Sequence, residues 1–439
     1  MSFPRYPEYK DSGVEWLGEV PGHWDICALK RIADLKSGES ITAEDINEDG
    51  EFPVFGGNGL RGFTTRYTHD GAYALIGRQG ALCGNINYAT GKFWASEHAV
   101  VATPKVAVET QWLGELMRAM NLNQYSVSAA QPGLSVEIVG NLRIPVPPAP
   151  EQSTIATFLD RETTKIDALV AEQEKLIALL QEKRQAVISH AVTKGLDPNV
   201  PMKDSGVEWL GEVPGHWEVK ALKFIATVQT GIAKGKDNTG KETITVPYLR
   251  VANVQDGYLA LDDMAEIEIP ASDLQRYLLQ PGDVLMNEGG DFDKLGRGHI
   301  WQGEVASCIH QNHVFAVRPH GVSSEWLNAI TGSGYAQFYF MTRSKQSTNL
   351  ASISSTSIME LPVLLPQLDE QSSVLAFMAK QTSQFDTLMA EARTAITLLQ
   401  ERRTALISAA VTGQIDVRGL ADSGNATDSI AASAYTASA

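Results

Sequence analysis

The sequence predicts an α+β chain: two β-rich globular domains separated by two long antiparallel helices (a coiled coil), related by an internal pseudo-twofold repeat. Three observations predict it. Residues 10–24, KDSGVEWLGEVPGHW, return letter for letter as residues 203–217, 203 − 10 = 193 positions on. Residues 151–193 return in similar form as residues 370–412, 370 − 151 = 219 positions on. Between each opening and its long segment lies a middle of short β-like runs set among glycines. Self-similarity at a fixed offset is the mark of a duplicated architecture.

In chain order the expected divisions are residues 1–150 (opening and first globular domain), 151–195 (central long helix), 196–368 (repeated opening and second globular domain), 369–412 (C-terminal long helix) and 413–439 (disordered tail). The likeness of the openings runs on through Ala28-Leu29-Lys30 against Ala221-Leu222-Lys223 and then fades. The first middle carries β-like runs at residues 72–76 and 99–102, the second at 246–254, 283–286 and 314–317. His98 precedes Pro104, and His313 precedes Pro319, by the same six residues, so the two middles are expected to share a fold. The second is longer by 219 − 193 = 26 residues.

Both long segments lack Gly and Pro and are rich in strong helix formers;. Pro just ahead, Glu in the first turn and Gly just behind are the expected punctuation. Apolar residues recur at helical spacing as Ile155, Leu159, Ile166, Leu169, Leu176, Leu180 and Val187, and again as Val374, Met378, Phe385, Leu388, Ala395, Leu399 and Leu406. Each helix should be about 60 Å long. Two such helices with matching stripes pack most simply on each other. The last twenty or so residues are Ala/Ser/Asp-rich and have little to bury;.

The 439 residues suffice for two or three domains, and a 43% apolar content is ordinary for a folded chain;. No run reads as a membrane span, and the polar start MSFPRYPEYK is not expected to be a signal peptide;. Cys27, Cys83 and Cys308 are scattered and odd in number, which points to a reducing, cytoplasmic setting;. The net charge of −16 disfavours a lone nucleic-acid binder, because phosphate neutralisation needs Lys and Arg;. Contact with DNA would have to use local basic faces, or occur inside an assembly whose other members supply positive charge.

No catalytic set is visible. Phe55-Gly56-Gly57-Asn58-Gly59 resembles a loop that cradles S-adenosylmethionine, but the one Pro-Pro, Pro147-Pro148, lacks the amide or acid and the aromatic of an amino-methyltransferase loop;. Cys308, His310 and His313 lack a second ligand pair for zinc;. There is no phosphate-binding GxxxxGK[ST] loop, and Glu288–Lys294 reads as an acidic loop rather than a nuclease centre;. What remains is of two kinds. Polar residues repeated on the long segments, Glu151, Gln152, Lys183 and Arg184 with Glu370, Gln371, Arg402 and Arg403, are expected to be partly exposed and to form a shared partner surface. Loop residues suited to phosphates and base edges are Arg61, Arg66, Arg78, Gln79 and Gln131 in the first middle;. In the second they are Arg250, Asn253, Lys294, Arg297, Gln311, Asn312, Arg343, Lys345, Gln346 and Asn349;.

Over residues 10–412 the chain resembles the specificity (S) subunit of type I restriction–modification systems. The resemblance is carried by the paired WLGEVPGHW openings, by GRQGALCGNINYATGKFWASEHAVV (residues 77–101), PYLRVANVQDG (247–257) and GDVLMNEGGDFDKLGRG (282–298), and by the Glu-Gln helix starts with their LLQE(K/R)R stretches. It implies that each middle is a target recognition domain reading one half of a split, asymmetric sequence in double-stranded DNA, with the helices setting the spacer. It implies two modification (M) subunits as partners, which bind S-adenosylmethionine and methylate adenine N6, and restriction (R) subunits that join them and use ATP and Mg. The S subunit itself would hold no cofactor or metal and would not be catalytic. The alternative is a coiled-coil scaffold that binds proteins only. The Ala/Ser-rich tail has no counterpart in the resemblance.

Overall fold

Each opening folds as a small ribbon that buries one tryptophan. In the computed structural model, which describes residues 3–80, 82–126, 133–235, 238–290, 295–296, 298–346 and 351–420, Tyr9–Asp11 pairs antiparallel with Glu19–Pro21, and Met202–Asp204 with Glu212–Pro214. Trp24 and Trp217, at the ends of these ribbons, are wholly buried. The chain forms two compact units, Met1–Glu174 with Arg393–Ala439, and Lys175–Ala392.

In the first unit the middle is closed by Asp25–Ala28 pairing antiparallel with Arg143–Val146. Inside that closure lie two four-stranded sheets. One has the order Ala33–Ser37, Ala99–Pro104, Tyr73–Gly77, Ile86–Ala89. The other runs Gly59–Thr64, Phe52–Gly56, Lys92–Ala95, His69–Asp70, with Phe52–Gly56 and Lys92–Ala95 parallel. The helix Thr110–Ala119 packs Trp112, Leu113, Leu116 and Met117 into the core.

In the second unit Glu218–Ala221 pairs with Pro362–Leu365 in the same closing role. Its sheets follow a corresponding order: Ala226–Thr230, Val314–Pro319, Val284–Asn287, Gly298–Ile300 in one, and Ala265–Pro270, Thr243–Leu249, Ile309–His310 in the other, again with one parallel pair. Asp283, fully buried, takes a two-pronged bond from Arg318 at 2.7 and 2.8 Å, which compensates the desolvation of the carboxylate;.

The long helices span Ala149–Lys194 and Leu368–Val411. Pro150 sits in the first turn, where its missing N–H has no intrahelical partner to lose;. Each helix stops where expected: Gly195 and Gly413 take left-handed φ values of 74° and 77°;. At Gly413 a side chain would also collide with Pro21 and Trp24 of the opening.

Much of the expected apolar stripe is inside: Ile155, Leu159, Ile166 and Leu406 in the first unit, Leu180, Val374, Met378 and Phe385 in the second. Leu169, Leu176 and Leu388 are not; they are 51%, 42% and 46% exposed. A strict repeat overshoots there, because an apolar residue one step off the seam reads like a seam residue in sequence. In both units the paired helix segments run in opposite senses. Arg403 meets Asp167 in the first unit and Arg184 meets Asp386 in the second. Among the described residues, no helix is long and apolar enough to cross a membrane.

Candidate nucleic-acid interface

In the first unit a group of loops meets at one end of the sheets. The turn between Phe52–Gly56 and Gly59–Thr64 lies against the end of Tyr73–Gly77; a Cβ on Gly57 would be 3.2 Å from His98 O and 3.6 Å from Gln79 O. Arg78 N donates to His98 O at 2.9 Å, and Arg78 Nη1 donates to Ser37 Oγ at 3.0 Å. Arg61 is exposed and lays its side chain across Gly56, at the same end. Gln79 is exposed and bridges through its backbone to Gly133. Arg66 does not join them. It lies beyond the far end of Gly59–Thr64, over the Trp94 ring at 5.1 Å and 3.8 Å from Asp45. Gln131 lies outside the described residues.

The second unit gathers its polar loops at the corresponding place. Glu288 N donates to His313 O at 2.9 Å. His313 Nδ1 donates to Glu288 Oε2 at 2.6 Å, and Asn312 Nδ2 donates to His313 Nε2 at 3.2 Å. The strand Gly289–Gly290 pairs with Ala351–Ser352, and that with Lys345–Gln346, so the exposed Lys345 and Gln346 sit two strands away. Gln311 Oε1 accepts from Val251 N at 3.4 Å. A concavity of about 440 Å³ is lined by Val251, Glu288, Gly289, His313, Ala351 and Ser352 among others. Arg343 ends the helix Gly334–Arg343 with its guanidinium over Tyr339. Lys294, Arg297 and Asn349 lie outside the described residues.

Two expectations for this site need correction. Asn253 is buried, and its amide donates to Ala260 O and Asp263 O while its oxygen accepts from Arg250 N. That side chain folds its own loop and has no edge left for a base. Arg250 is engaged as well, donating from Nη2 to Asp263 Oδ2 at 2.9 Å. Three residues at the meeting points, His98, His313 and Glu288, were not assigned from sequence. The signal was present, since both histidines keep their six-residue spacing to proline in both halves.

The repeated polar residues divide into two sets. Glu151 and Gln152, expected at the surface, are buried. Glu151 Oε1 accepts from Tyr6 Oη at 2.5 Å and Trp24 Nε1 at 3.1 Å, and Oε2 from His23 Nε2 at 2.8 Å. Beside the carboxylate and desolvated, the Tyr6 hydroxyl is pushed well above the usual phenol range;. Gln152 donates to Pro147 O and accepts from Glu109 N. In the second unit Gln371 is buried and donates to Pro366 O, while Glu370 accepts from His216 at 2.7 Å. These four residues bolt each opening or domain end to its helix; a polar type does not disclose burial when its partners are distant in sequence. Arg184 and Arg403 are spent on the interhelical pairs, whereas Lys183 and Arg402 are exposed.

Nothing in the geometry near Cys308 assembles a metal site. Burial raises the Cys308 thiol to about 12 and lowers the His310 imidazole to about 4, and His310 Nδ1 donates to Val314 O;. His313 is committed to Glu288 instead. Among the described residues, no group of three or more His, Cys, Asp or Glu could hold a metal ion.

Comparison with known proteins agrees with this geometry. Residues 21–178 match the family described as type I restriction modification DNA specificity domain. The chain is 42% identical over 174 residues to the type I restriction enzyme EcoprrI specificity subunit of Escherichia coli, covering 38% of this chain and 43% of that one. It is 24% identical over 291 residues to the EcoKI specificity subunit of Escherichia coli K12, covering 64% and 59%. The chain thus spans about half the length of these curated relatives. A solved chain of a type I R-M system, described for its complex assembly and conformational transition, shares the fold with a TM-score of 0.60 at 17% identity, covering 89% of this chain and 98% of that chain. The chain thus carries a type I restriction modification DNA specificity domain at residues 21–178 and is similar to type I restriction–modification specificity subunits over about half of their length.

Proposed function

We propose that this chain is the DNA-specificity subunit of a type I restriction–modification enzyme working in the cytoplasm, and that each middle reads one half of a bipartite, asymmetric target in double-stranded DNA. One observation carries the reading: two domains with corresponding strand order present different polar side chains at the same loop positions, on openings that repeat letter for letter and helices that repeat in similar form. A fixed frame suits a partner bound twice; altered loops suit two different ligands of one chemical kind.

On this reading the two helices form an antiparallel coiled coil that holds the recognition domains at a set spacing. Two M subunits supply the chemistry, binding S-adenosylmethionine and transferring its methyl group to adenine N6, and R subunits join with ATP and Mg. The specificity chain takes no step in catalysis and holds no cofactor. Its docking surface is the exposed repeat on the helices: Leu169 with Leu388, Leu179 with Leu398, and Lys183 with Arg402, each pair 219 residues apart. Exposed leucines at repeat-related places fit two copies of one partner.

The deciding experiment is to co-express the chain with its cognate M subunit and sequence host DNA for N6-methyladenine. A split motif with one modified adenine in each half is expected. Co-purification without any methylated motif would overturn the DNA reading, and failure to co-purify would overturn the shared docking surface.

A further inference from the structure

Arg78 and Glu288 occupy one position of the fold. In the first unit Tyr73–Gly77 pairs with Ala99–Pro104, Arg78 N donates to His98 O at 2.9 Å, and Leu134 N donates to Arg78 O at 3.0 Å. In the second, Val284–Asn287 pairs with Val314–Pro319, Glu288 N donates to His313 O at 2.9 Å, and Ile353 N donates to Glu288 O at 2.8 Å. The backbone contacts match one for one and the histidine is kept. Only the side chain differs, and it differs by a full reversal of charge.

We infer that this shared position reads one base pair in each half-site, with Arg78 taking a guanine and Glu288 a cytosine. The inference rests on the DNA-reading function proposed above. Arg78 is held at one end, its Nη1 bound to Ser37 Oγ, which leaves the rest of the guanidinium to donate. Guanine offers two acceptors, O6 and N7, on its major-groove edge, and cytosine offers one donor, its N4 amine. A carboxylate cannot clamp the backbone, because phosphates repel it, so its productive contact with DNA is to accept from a base amine. Glu288 is set up for that. One oxygen is fixed by His313 Nδ1–H, and His313 is steadied in turn by Asn312. The other oxygen belongs to a side chain 29% exposed beside a concavity of about 440 Å³. Neither arrangement needs the backbone to change, so one loop position carries opposite base preferences.

The test compares wild type, Glu288→Gln and Arg78→Gln, each co-expressed with the M subunit and scored by N6-methyladenine mapping. Both side chains are at least partly exposed, so co-purification and melting temperature should match wild type. Each variant should relax a single C·G position, in one half only and a different half for each, with discrimination falling roughly 10-fold or more. An unchanged motif in Glu288→Gln overturns the assignment of that base, as does relaxation of both halves together. Uniform weakening at every site marks a phosphate or folding role and overturns it too. If wild type itself gives no bipartite motif, the DNA reading has failed and this inference falls with it; a bipartite wild-type motif with unaltered variants removes only the base assignment.

Discussion

Arg403 Nε donates to Asp167 Oδ1 at 2.9 Å, and the repeat counterparts of both residues form the second interhelical pair, Arg184 with Asp386 at 3.3 Å. The offsets are the same, 403 − 184 = 219 and 386 − 167 = 219. Within each unit, an arginine of one helix segment thus meets an aspartate of the segment packed against it. The Arg403 and Asp167 side chains are 32% and 55% exposed, so screening keeps the strength of each pair small;. A double-mutant cycle with Arg403→Ala and Asp167→Ala, followed by urea denaturation, should give a coupling below about 1 kcal/mol. A coupling several times larger would show that the pair is desolvated in solution.

The two openings should differ in their dependence on the helix glutamate. Glu151 takes three donors, Tyr6, His23 and Trp24, whereas Glu370 takes His216, and Trp217 Nε1 is buried with no partner among the described residues. Glu151→Ala leaves two buried donors unpaired and should cost about 2–4 kcal/mol of stability. Glu370→Ala should cost clearly less. Equal losses in thermal melts of the two variants would contradict this asymmetry.

These contacts show what the sequence could and could not disclose. Helix extents were legible because composition and the flanking Pro and Gly act locally; Gly195 and Gly413 end the helices where their left-handed backbone requires;. The mix of sheet and helix was legible because short β-like runs set among glycines alternate with long Gly- and Pro-free segments. The burial of Glu151 was not, since its donors Tyr6 and Trp24 lie more than a hundred residues away. Asn253 looked like a base reader because loop Asn residues suit adenine, yet its amide is consumed by its own turn. Leu169 and Leu388 matched the apolar stripe by spacing alone, and only packing shows them turned to the surface.

Acid should weaken the second unit through His310. Its imidazole is buried, lowered to about 4 by desolvation, and has no partner at Nε2 among the described residues. The unfolded chain titrates near 6.5, so between about 6.5 and 4 the unfolded state binds the extra proton. Stability contributed by neutral His310 is therefore full above that window and falls as pH falls through it, by up to about 3 kcal/mol. Melting temperature measured at pH 7 and pH 5 should drop less in His310→Gln than in wild type. Parallel losses in both proteins would place the acid sensitivity elsewhere.

The exposed leucines should matter to the partner and not to the fold. Leu169 and Leu388 are 51% and 46% exposed, so Leu169→Glu or Leu388→Glu should alter stability by no more than about 0.5 kcal/mol;. Each change places a charge on one of the two docking faces proposed above. Light scattering of the purified complex should then show one M subunit per specificity chain instead of two, and the double variant none. Retention of both partners in the double variant would move the docking surface off this face.

The last prediction concerns spacing. Between the two ion pairs each helix contributes the same length, 184 − 167 = 403 − 386 = 17 residues. Removing residues 172–175 and 391–394 together therefore takes one turn from each helix at repeat-related places and leaves both pairs able to form. The helices lose about 6 Å and a net turn of about 40°. With DNA rising about 3.4 Å per base pair, the preferred spacer should shorten by one or two base pairs while both half-site sequences stay the same. Methylation mapping reads both quantities at once. An unchanged spacer would mean that the helices do not measure it, and altered half-sites would mean that the deletion had disturbed the recognition domains themselves.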